Sequence, residues 1–277
     1  SQTYEPLEII LSDDCSSDRT FEIMEEMAAV YRGPHQLRIN RNSKNIGLGS
    51  HINYVANLVE GSFLVLAAGD DVSYSERVAV LTNAWLKSGR QLMALQSGYR
   101  DIDQNSKVLK TSPCYSLPKE AMVDEFARHN LFIVGATGAY DIQIFRAFPP
   151  LNANVVHEDR VLPFRALLLG GEVGSIDKCL VDYRKDVGIS ASYRNGGKMN
   201  RTAFSSRVLS DNLQKMIDAQ HTDNSRVLLY LAENIKRYTA EVYAGQMPIN
   251  PANFFCLLRH AGLFWGTRAA VKYLLRS

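Results

Sequence analysis

Adjacent carboxylates at the end of an apolar run can hold a divalent cation and meet a polar, anionic ligand, and this chain has two such clusters about fifty-five residues apart. The first closes Leu7-Glu8-Ile9-Ile10-Leu11-Ser12-Asp13-Asp14-Cys15-Ser16-Ser17-Asp18-Arg19-Thr20. The second closes Ser62-Phe63-Leu64-Val65-Leu66-Ala67-Ala68-Gly69-Asp70-Asp71. Each run has the composition of a buried parallel strand. Open α/β sheets bind ligands beyond the carboxyl ends of their strands, so both clusters are expected to face one crevice, suited to a divalent metal and a nucleotide diphosphate. Taken alone, the first cluster reads equally well as a cap, with Asp14, Ser16 or Ser17 opening a helix near Asp18. Capping gives no reason for the second strand to end in Gly-Asp-Asp.

The first segment resembles the "EIIVVDDGSTDGT" stretch of family 2 glycosyltransferases, and the second resembles the strand leading into that family's DXD-type metal motif. Between them, Asn45-Ile46-Gly47 through Asn53-Tyr54-Val55-Ala56-Asn57 resembles the family's "N-x-G-x-x-x-x-x-N" segment. Downstream, Val156-His157-Glu158-Asp159-Arg160 resembles its Glu-Asp motif, in which a carboxylate activates the acceptor hydroxyl. Order and spacing agree over roughly Ser1 to Arg184. The resemblance implies a GT-A fold: a Rossmann-like mixed α/β sheet flanked by helices, with residues 1–195 as the transferase core and 196–277 as a C-terminal helical region.

It also implies roles. Asp13 and Asp14 would meet the base or ribose, Asp18 the start of the next helix, and Asn45 and Gly47 the nucleotide edge. Asp70, with Asp71 beside it, would hold Mn2+ or Mg2+. Ala68 stands where many relatives have the first metal-motif Asp, so the ion would rest largely on diphosphate oxygens and water. Asp159 would be the general base of an inverting transfer, with Glu158 as the reserve candidate; the competing reading of the pair is an acidic first helical turn. The implied partners are a nucleotide-diphospho-sugar donor and a saccharide or polyprenyl-linked acceptor, in cell-surface polysaccharide synthesis.

The positioning elements follow from periodicity. Helices are expected over Arg19–Tyr31, Ser50–Val59, Arg77–Ser88, Pro118–His129 and Glu158–Leu169, with strands at Leu37–Asn40, Leu92–Tyr99, Val108–Thr111, Val173–Ile176 and Leu180–Tyr183. Small residues across Phe132–Tyr140 suit either backbone approach to a ligand or close helix packing. The stretch 186–200, rich in Gly, Ser and Asn (Ser190, Ser192, Asn195, Gly196, Gly197), reads as a closing loop or a linker. Thr202–Ala219 and Ser225–Gly245 read as amphipathic helices outside the core. Segment 253–277 is apolar and basic, without an acidic residue. It fits peripheral contact with an anionic membrane, at the inner face of the plasma membrane, or packing on the core.

A net charge of +2 argues against nucleic acid as a partner. Four scattered cysteines without ligand spacing point to a cytoplasmic setting. The opening residues resemble the loop after the family's first helix, so the chain is expected to lack the first strand and helix, to belong to a longer natural form and to be poorly stable or inactive alone. Three rivals stand beside the transferase. A phosphate-receiver domain is far shorter and leaves Glu158-Asp159 unexplained. A sugar nucleotidyltransferase would share the sheet and the acidic site. A degenerate, non-catalytic saccharide- or partner-binding relative would account for Ala68.

Overall fold

The structure, a computed structural model, describes residues 1–112, 117, 122–187, 194–195, 198–246 and 251–274. The expectations for Pro118, for Ser190 and Ser192, and for Gly196 and Gly197 lie outside the described residues.

The chain opens with β1 (Glu8–Asp13), α1 (Thr20–Val30), β2 (Gln36–Arg41), α2 (Leu48–Leu58), β3 (Phe63–Val65), β4 (Val72–Ser73), α3 (Arg77–Lys87), β5 (Leu92–Ile102) and β6 (Val108–Ser112). It continues through α4 (Val123–His129), a 3-10 turn at Gly135–Thr137, β7 (Ala139–Asp141), α5 (Gln143–Arg146), α6 (Glu158–Leu168) and β8 (Glu172–Arg184). A short ladder of β9 (Arg194–Asn195) and β10 (Lys198–Met199) precedes α7 (Arg201–His221), α8 (Ser225–Gln246) and α9 (Pro251–Leu274). Local chemistry sets several ends. Gly89 takes φ +66° just past α3, Asn130 takes φ +51° at the end of α4, and the Asn200 side chain accepts the Ala203 N–H to cap α7. At Gly262, φ +79° breaks the course of α9.

The main sheet is mixed and ordered β3-β7-β5-β8-β4, with β6 added on β5. Strands β5 and β8 run parallel, and the other pairs run antiparallel. Strands β1 and β2 form a separate parallel pair. The first acidic cluster does end a parallel strand, as expected, but neither run is a fully buried strand and the second is not parallel. β3 pairs antiparallel with β7, and β1 is only half-buried up to Asp13 because it has a strand partner on one edge. The two short strands expected after Gly171 are one continuous strand, β8, paired with β5 along its length.

The core gathers around α6. Phe126, Ile133, Tyr140, Ile144, Val161, Leu162 and Phe164 are buried together with Ala219, Val227 and Leu231 from α7 and α8. A smaller cluster of Leu81, Trp85, Leu95, Ala139 and Leu180 seats α3 on the sheet. Pro163 has no N–H to return to the Asp159 carbonyl four residues earlier. That carbonyl instead accepts the Ile133 N–H at 3.1 Å, which ties the segment before the 3-10 turn to the start of α6.

Helix α7 departs from the amphipathic helix expected outside the core. Between the buried Val208 and Ala219, its inward residues are Asp211, Asn212, Gln214, Lys215 and Asp218, while Leu213 and Ile217 are 45% and 44% exposed. The inversion follows from what α6 offers. Arg165 is fully buried and donates to both Asp218 oxygens at 2.7 and 2.9 Å, and to the Pro149 carbonyl at 2.7 Å. Gln214 completes the Asp218 acceptor set at 3.0 Å. A buried carboxylate removed from such a pair leaves an uncompensated charge. Asp218→Ala is therefore expected to lower unfolding stability by about 3–5 kcal/mol in denaturant titration. A loss below about 0.5 kcal/mol, the size of an ordinary surface change, would show that the pair does not hold α6 to α7.

Candidate active site

The first cluster is built on the turn leaving β1. Asp13 is buried; its carboxylate accepts the Ser16 N–H at 3.1–3.2 Å and lies 3.4 Å from Arg41 Nε. The turn passes through Cys15 at φ +61°, a conformation that costs a residue with a Cβ about 1–2 kcal/mol. Asp14 points the other way. It accepts Asn42 Nδ2 at 2.7 Å and the backbone N–H groups of Ile46 and Gly47, each at 3.0 Å. Asn45 Oδ1 also accepts the Gly47 N–H at 3.2 Å. Gly47 has φ +81°, and a Cβ there would lie 3.2 Å from the Ala153 carbonyl. Two residues on, a Cβ on Gly49 would come within 2.7 Å of the Asn152 carbonyl. Asp14 thus fixes the loop before α2, and α2 seats on the segment leading into α6. Asp18 is exposed and accepts both the N–H and the hydroxyl of Thr20, bonds that lower its carboxyl.

The second cluster lies between β3 and β4. Asp71 Oδ1 accepts the Arg184 N–H at 2.8 Å, and Arg184 Nε donates to the Asp70 carbonyl at 2.9 Å. The other Asp71 oxygen is out of solvent and has no hydrogen-bond partner. Burial, aided by the charge of Asp70, pushes the Asp71 carboxyl up to about 6. The Asp70 side chain makes no hydrogen bond or ion pair among the described residues. Ala67, Ala68 and Gly69 add no side-chain oxygen, and the described residues hold no group of three or more His, Cys, Asp or Glu that could hold a metal. Two adjacent carboxylates with an unpartnered oxygen fit a hard divalent cation in kind, and are too few to bind one without phosphate and water.

Glu158 and Asp159 open α6, where the positive end of the helix dipole favours their charge. Burial raises both carboxyls, and the charge of Asp159 raises Glu158 further. Nearby positive charge on His157 and Arg160 opposes the rise at Asp159. The 3-10 turn supplies the wall of this site. A Cβ on Gly135 would lie 2.8 Å from Glu158 Oε1 and 3.3 Å from Asp159 Cβ. Small residues here therefore serve close packing on α6.

Arg77 links the second cluster to this wall. It is 1% exposed and donates to Ser73 Oγ and the Leu66 carbonyl at 2.8 Å, and to the Ala136 carbonyl at 3.1 Å. Asp70 and Asp71 are joined to Glu158 and Asp159 through Arg77 and the 3-10 turn, and the first cluster joins α6 through Gly47 and Gly49. No hydrogen bond or ion pair connects Asp13 or Asp14 with Asp70 or Asp71 among the described residues. Arg77 and Asp211 were missed by motif matching, while Gly135 and His157 lay inside matched segments without a role of their own. The signal available for Arg77 was an arginine opening an apolar helix six residues past an acidic pair.

The model for glycosyl transferase family 2 matches residues 1–148. EpsE of Bacillus subtilis, provisionally named a glycosyltransferase, is 29% identical over 104 residues, 38% of this chain and 36% of that protein. The uncharacterised protein Rv1520 of Mycobacterium tuberculosis is 26% identical over 223 residues, covering 80% of this chain and 62% of its own length. The chain thus spans less than two thirds of either relative. Among solved structures, S. aureus TarS residues 1–349 with UDP superposes with a TM-score of 0.55 at 13% identity, covering 98% of this chain and 81% of that one. GalNAc-T7 with UDP, GalNAc and Mn2+ gives 0.56 at 12% identity, covering 96% and 51%. These likenesses establish a GT-A fold. With the family model covering more than half of its length, the chain belongs to glycosyl transferase family 2.

Proposed function

We propose that this glycosyltransferase moves a sugar, with inversion, from a nucleotide-diphosphate donor to a hydroxyl of a saccharide or lipid-linked saccharide in cell-surface polysaccharide synthesis. The observation that carries the proposal is the Glu158–Asp159 pair: two adjacent carboxylates with raised proton affinity at a helix N-terminus, walled by a glycine turn that is tied to a second acidic pair. A base needs a raised carboxyl to take a proton from an alcohol near neutral pH. Asp159 is assigned as that base, and Glu158, the more strongly raised of the two, as a group that stays protonated beside it and donates to the acceptor. Asp13 and Asn45 are assigned to the nucleotide edge.

Asp70, with the unpartnered oxygen of Asp71, would hold Mn2+ or Mg2+. When bound, the ion supplies charge neutralisation to the departing nucleotide diphosphate. The UDP complexes of two proteins sharing the fold make a uridine nucleotide the first donor to test. Residues 1–195 would carry the transfer and 196–277 the helical support. Contact with the inner membrane face belongs to the same proposal. Phe255 and Phe264 are 69% and 64% exposed, beside exposed Arg259 and Arg268, while Leu257, Ala261 and Ala269 pack with α8. None of the described helices is long and apolar enough to cross a membrane.

The test is nucleotide release from UDP-, dTDP- and GDP-sugars with Mn2+, Mg2+ or chelator. Asp159→Asn should lower turnover by roughly 10²–10⁴-fold while thermal stabilisation by UDP is retained. Undiminished turnover would remove Asp159 from the mechanism, and a folded protein that no nucleotide stabilises would favour the non-catalytic relative. The acid limb of kcat/KM should rise with pH above the ordinary carboxylate range, because the half-buried base must first lose a proton that desolvation retains. Gly135→Ala supplies a geometric check. Its methyl group meets the Glu158 carboxylate and the Asp159 side chain rather than backbone, so melting temperature should change little while turnover falls roughly tenfold to a hundredfold. Turnover equal to the parent would show that the turn does not position the pair.

A further inference from the structure

Behind the acidic pair lies a set of charges that hydrophobic packing alone would exclude. Asp211 and Lys215, one turn apart on α7, have no solvent exposure. Lys215 donates to the Phe126 carbonyl at 3.2 Å, and burial lowers its ammonium to about 7. Asp211 Oδ2 lies 2.6 Å from His157 Nδ1, and its other oxygen has no hydrogen-bond partner. His157 is the residue immediately preceding α6, its side chain 12% exposed and its ring against Phe204. One Asp159 oxygen, two residues on, is likewise out of solvent and without a partner.

Two adjacent carboxylates resist joint ionisation, so the one that acts as base needs a nearby positive charge. The groups facing Asp159 come from five elements. The N-terminal end of α6 offers Glu158 and Arg160, with His157 as the residue before it, α7 offers Asp211 and Lys215, and the 3-10 turn offers the Gly135 N–H. β7 brings Tyr140, whose hydroxyl is buried without a partner, and α3 brings Arg77 behind it. Arg160 is engaged over the Phe132 and Phe204 rings, and Lys215 is weakened as a cation by burial. His157 is the candidate whose ring is held in place by a carboxylate.

We infer that His157, oriented by Asp211 from α7, is a positioning residue that keeps the Asp159 carboxylate ionised next to Glu158. The inference rests on Asp159 being the base. Asp211 would accept a hydrogen bond from Nδ1–H, fix the ring orientation and compensate positive charge on the imidazole, the arrangement by which a buried carboxylate commonly directs a histidine. The helical region would then set the protonation of a group on the transferase core.

The test titrates the full chain labelled with [¹³C]aspartate, with the Asp159 carboxyl signal assigned by its loss in Asp159→Asn. His157→Gln should move the Asp159 midpoint upward by about one pH unit, the size expected when one close cation is lost. Asp211→Asn separates two modes of action. If Asp211 orients His157, the midpoint rises as in His157→Gln; if it acts only through its own negative charge, the midpoint falls. An unmoved midpoint in His157→Gln overturns the inference, and a fall in Asp211→Asn overturns the role of Asp211. His157 is partly exposed, so its variant keeps the test decisive should Asp211→Asn fail to fold. Full turnover by Asp159→Asn would instead defeat the base assignment while leaving the measured coupling intact, so the two failures are distinct.

Discussion

The buried ion pair of Arg165 and Asp218 is the constraint around which the rest of the molecule is arranged. Two charges without solvent exposure tolerate little displacement, because neither finds another partner if the helices slide. The guanidinium also reaches the carbonyls before α6, at Pro149 and Ile144. One side chain therefore holds α6, the segment leading into it and α7 in a common register. Everything at the N-terminus of α6 inherits that register: Glu158, Asp159, and the His157 ring that meets Asp211 two helical turns before Asp218. The polar inner face of α7 is the consequence. A helix that must answer a buried arginine, and a histidine two turns earlier, has little room for leucine on the same stripe, and Leu213 and Ile217 turn outward.

Arg77 plays a complementary part without a carboxylate partner in contact. Its two terminal nitrogens donate to a hydroxyl and two backbone carbonyls, one of them fifty-nine residues along the chain, while Nε is buried without a partner. Carbonyl acceptors carry partial charge, so the arginine keeps net positive character, although burial lowers it to about 10. It sits where that character is useful, between Asp71 on one side and Tyr140 and the acidic pair on the other. The loop carrying Asp70 and the turn carrying Gly135 are thereby two ends of one hydrogen-bonded bridge.

Much of this was legible in the residues. The runs ending at Asp13 and Asp71, the Asn45-Ile46-Gly47 segment and Glu158-Asp159 are local patterns, and local patterns survive in one dimension. The helix and strand register followed from periodicity, with α3 and β5 within a few residues of expectation. The inner face of α7 was not legible, because reading a helix by its apolar stripe assumes that the apolar side faces the core. Only the location of Arg165 on a neighbouring helix reverses that assumption, and the pairing of residues 165 and 218 leaves no trace in spacing. Strand pairing failed for the same reason. An apolar run is compatible with parallel or antiparallel neighbours, and β3 is antiparallel because β7 returns beside it.

Paired carboxylates in this fold divide their labour, and the division decides which of them can meet a ligand. Asp14 is saturated by Asn42 and two backbone N–H groups, so its contribution is the shape of the loop before α2 rather than a free acceptor. Asp18 is engaged with Thr20 in the turn into α1. Asp71 gives one oxygen to the Arg184 backbone, which anchors the loop and leaves Asp70 as the unencumbered member. The same logic would apply at α6 under the proposed assignment, where the group next to positive charge would ionise first and the other keep its proton. A transferase needs both behaviours at once, an acceptor for the alcohol proton and a carboxyl that can donate a hydrogen bond. Adjacent acids on a rigid helix N-terminus provide them when the surrounding charges are asymmetric. On the proposed assignment the asymmetry would come from His157 just before α6, Arg160 on α6 and Asp211 on α7, which would make the helical region electrically part of the site.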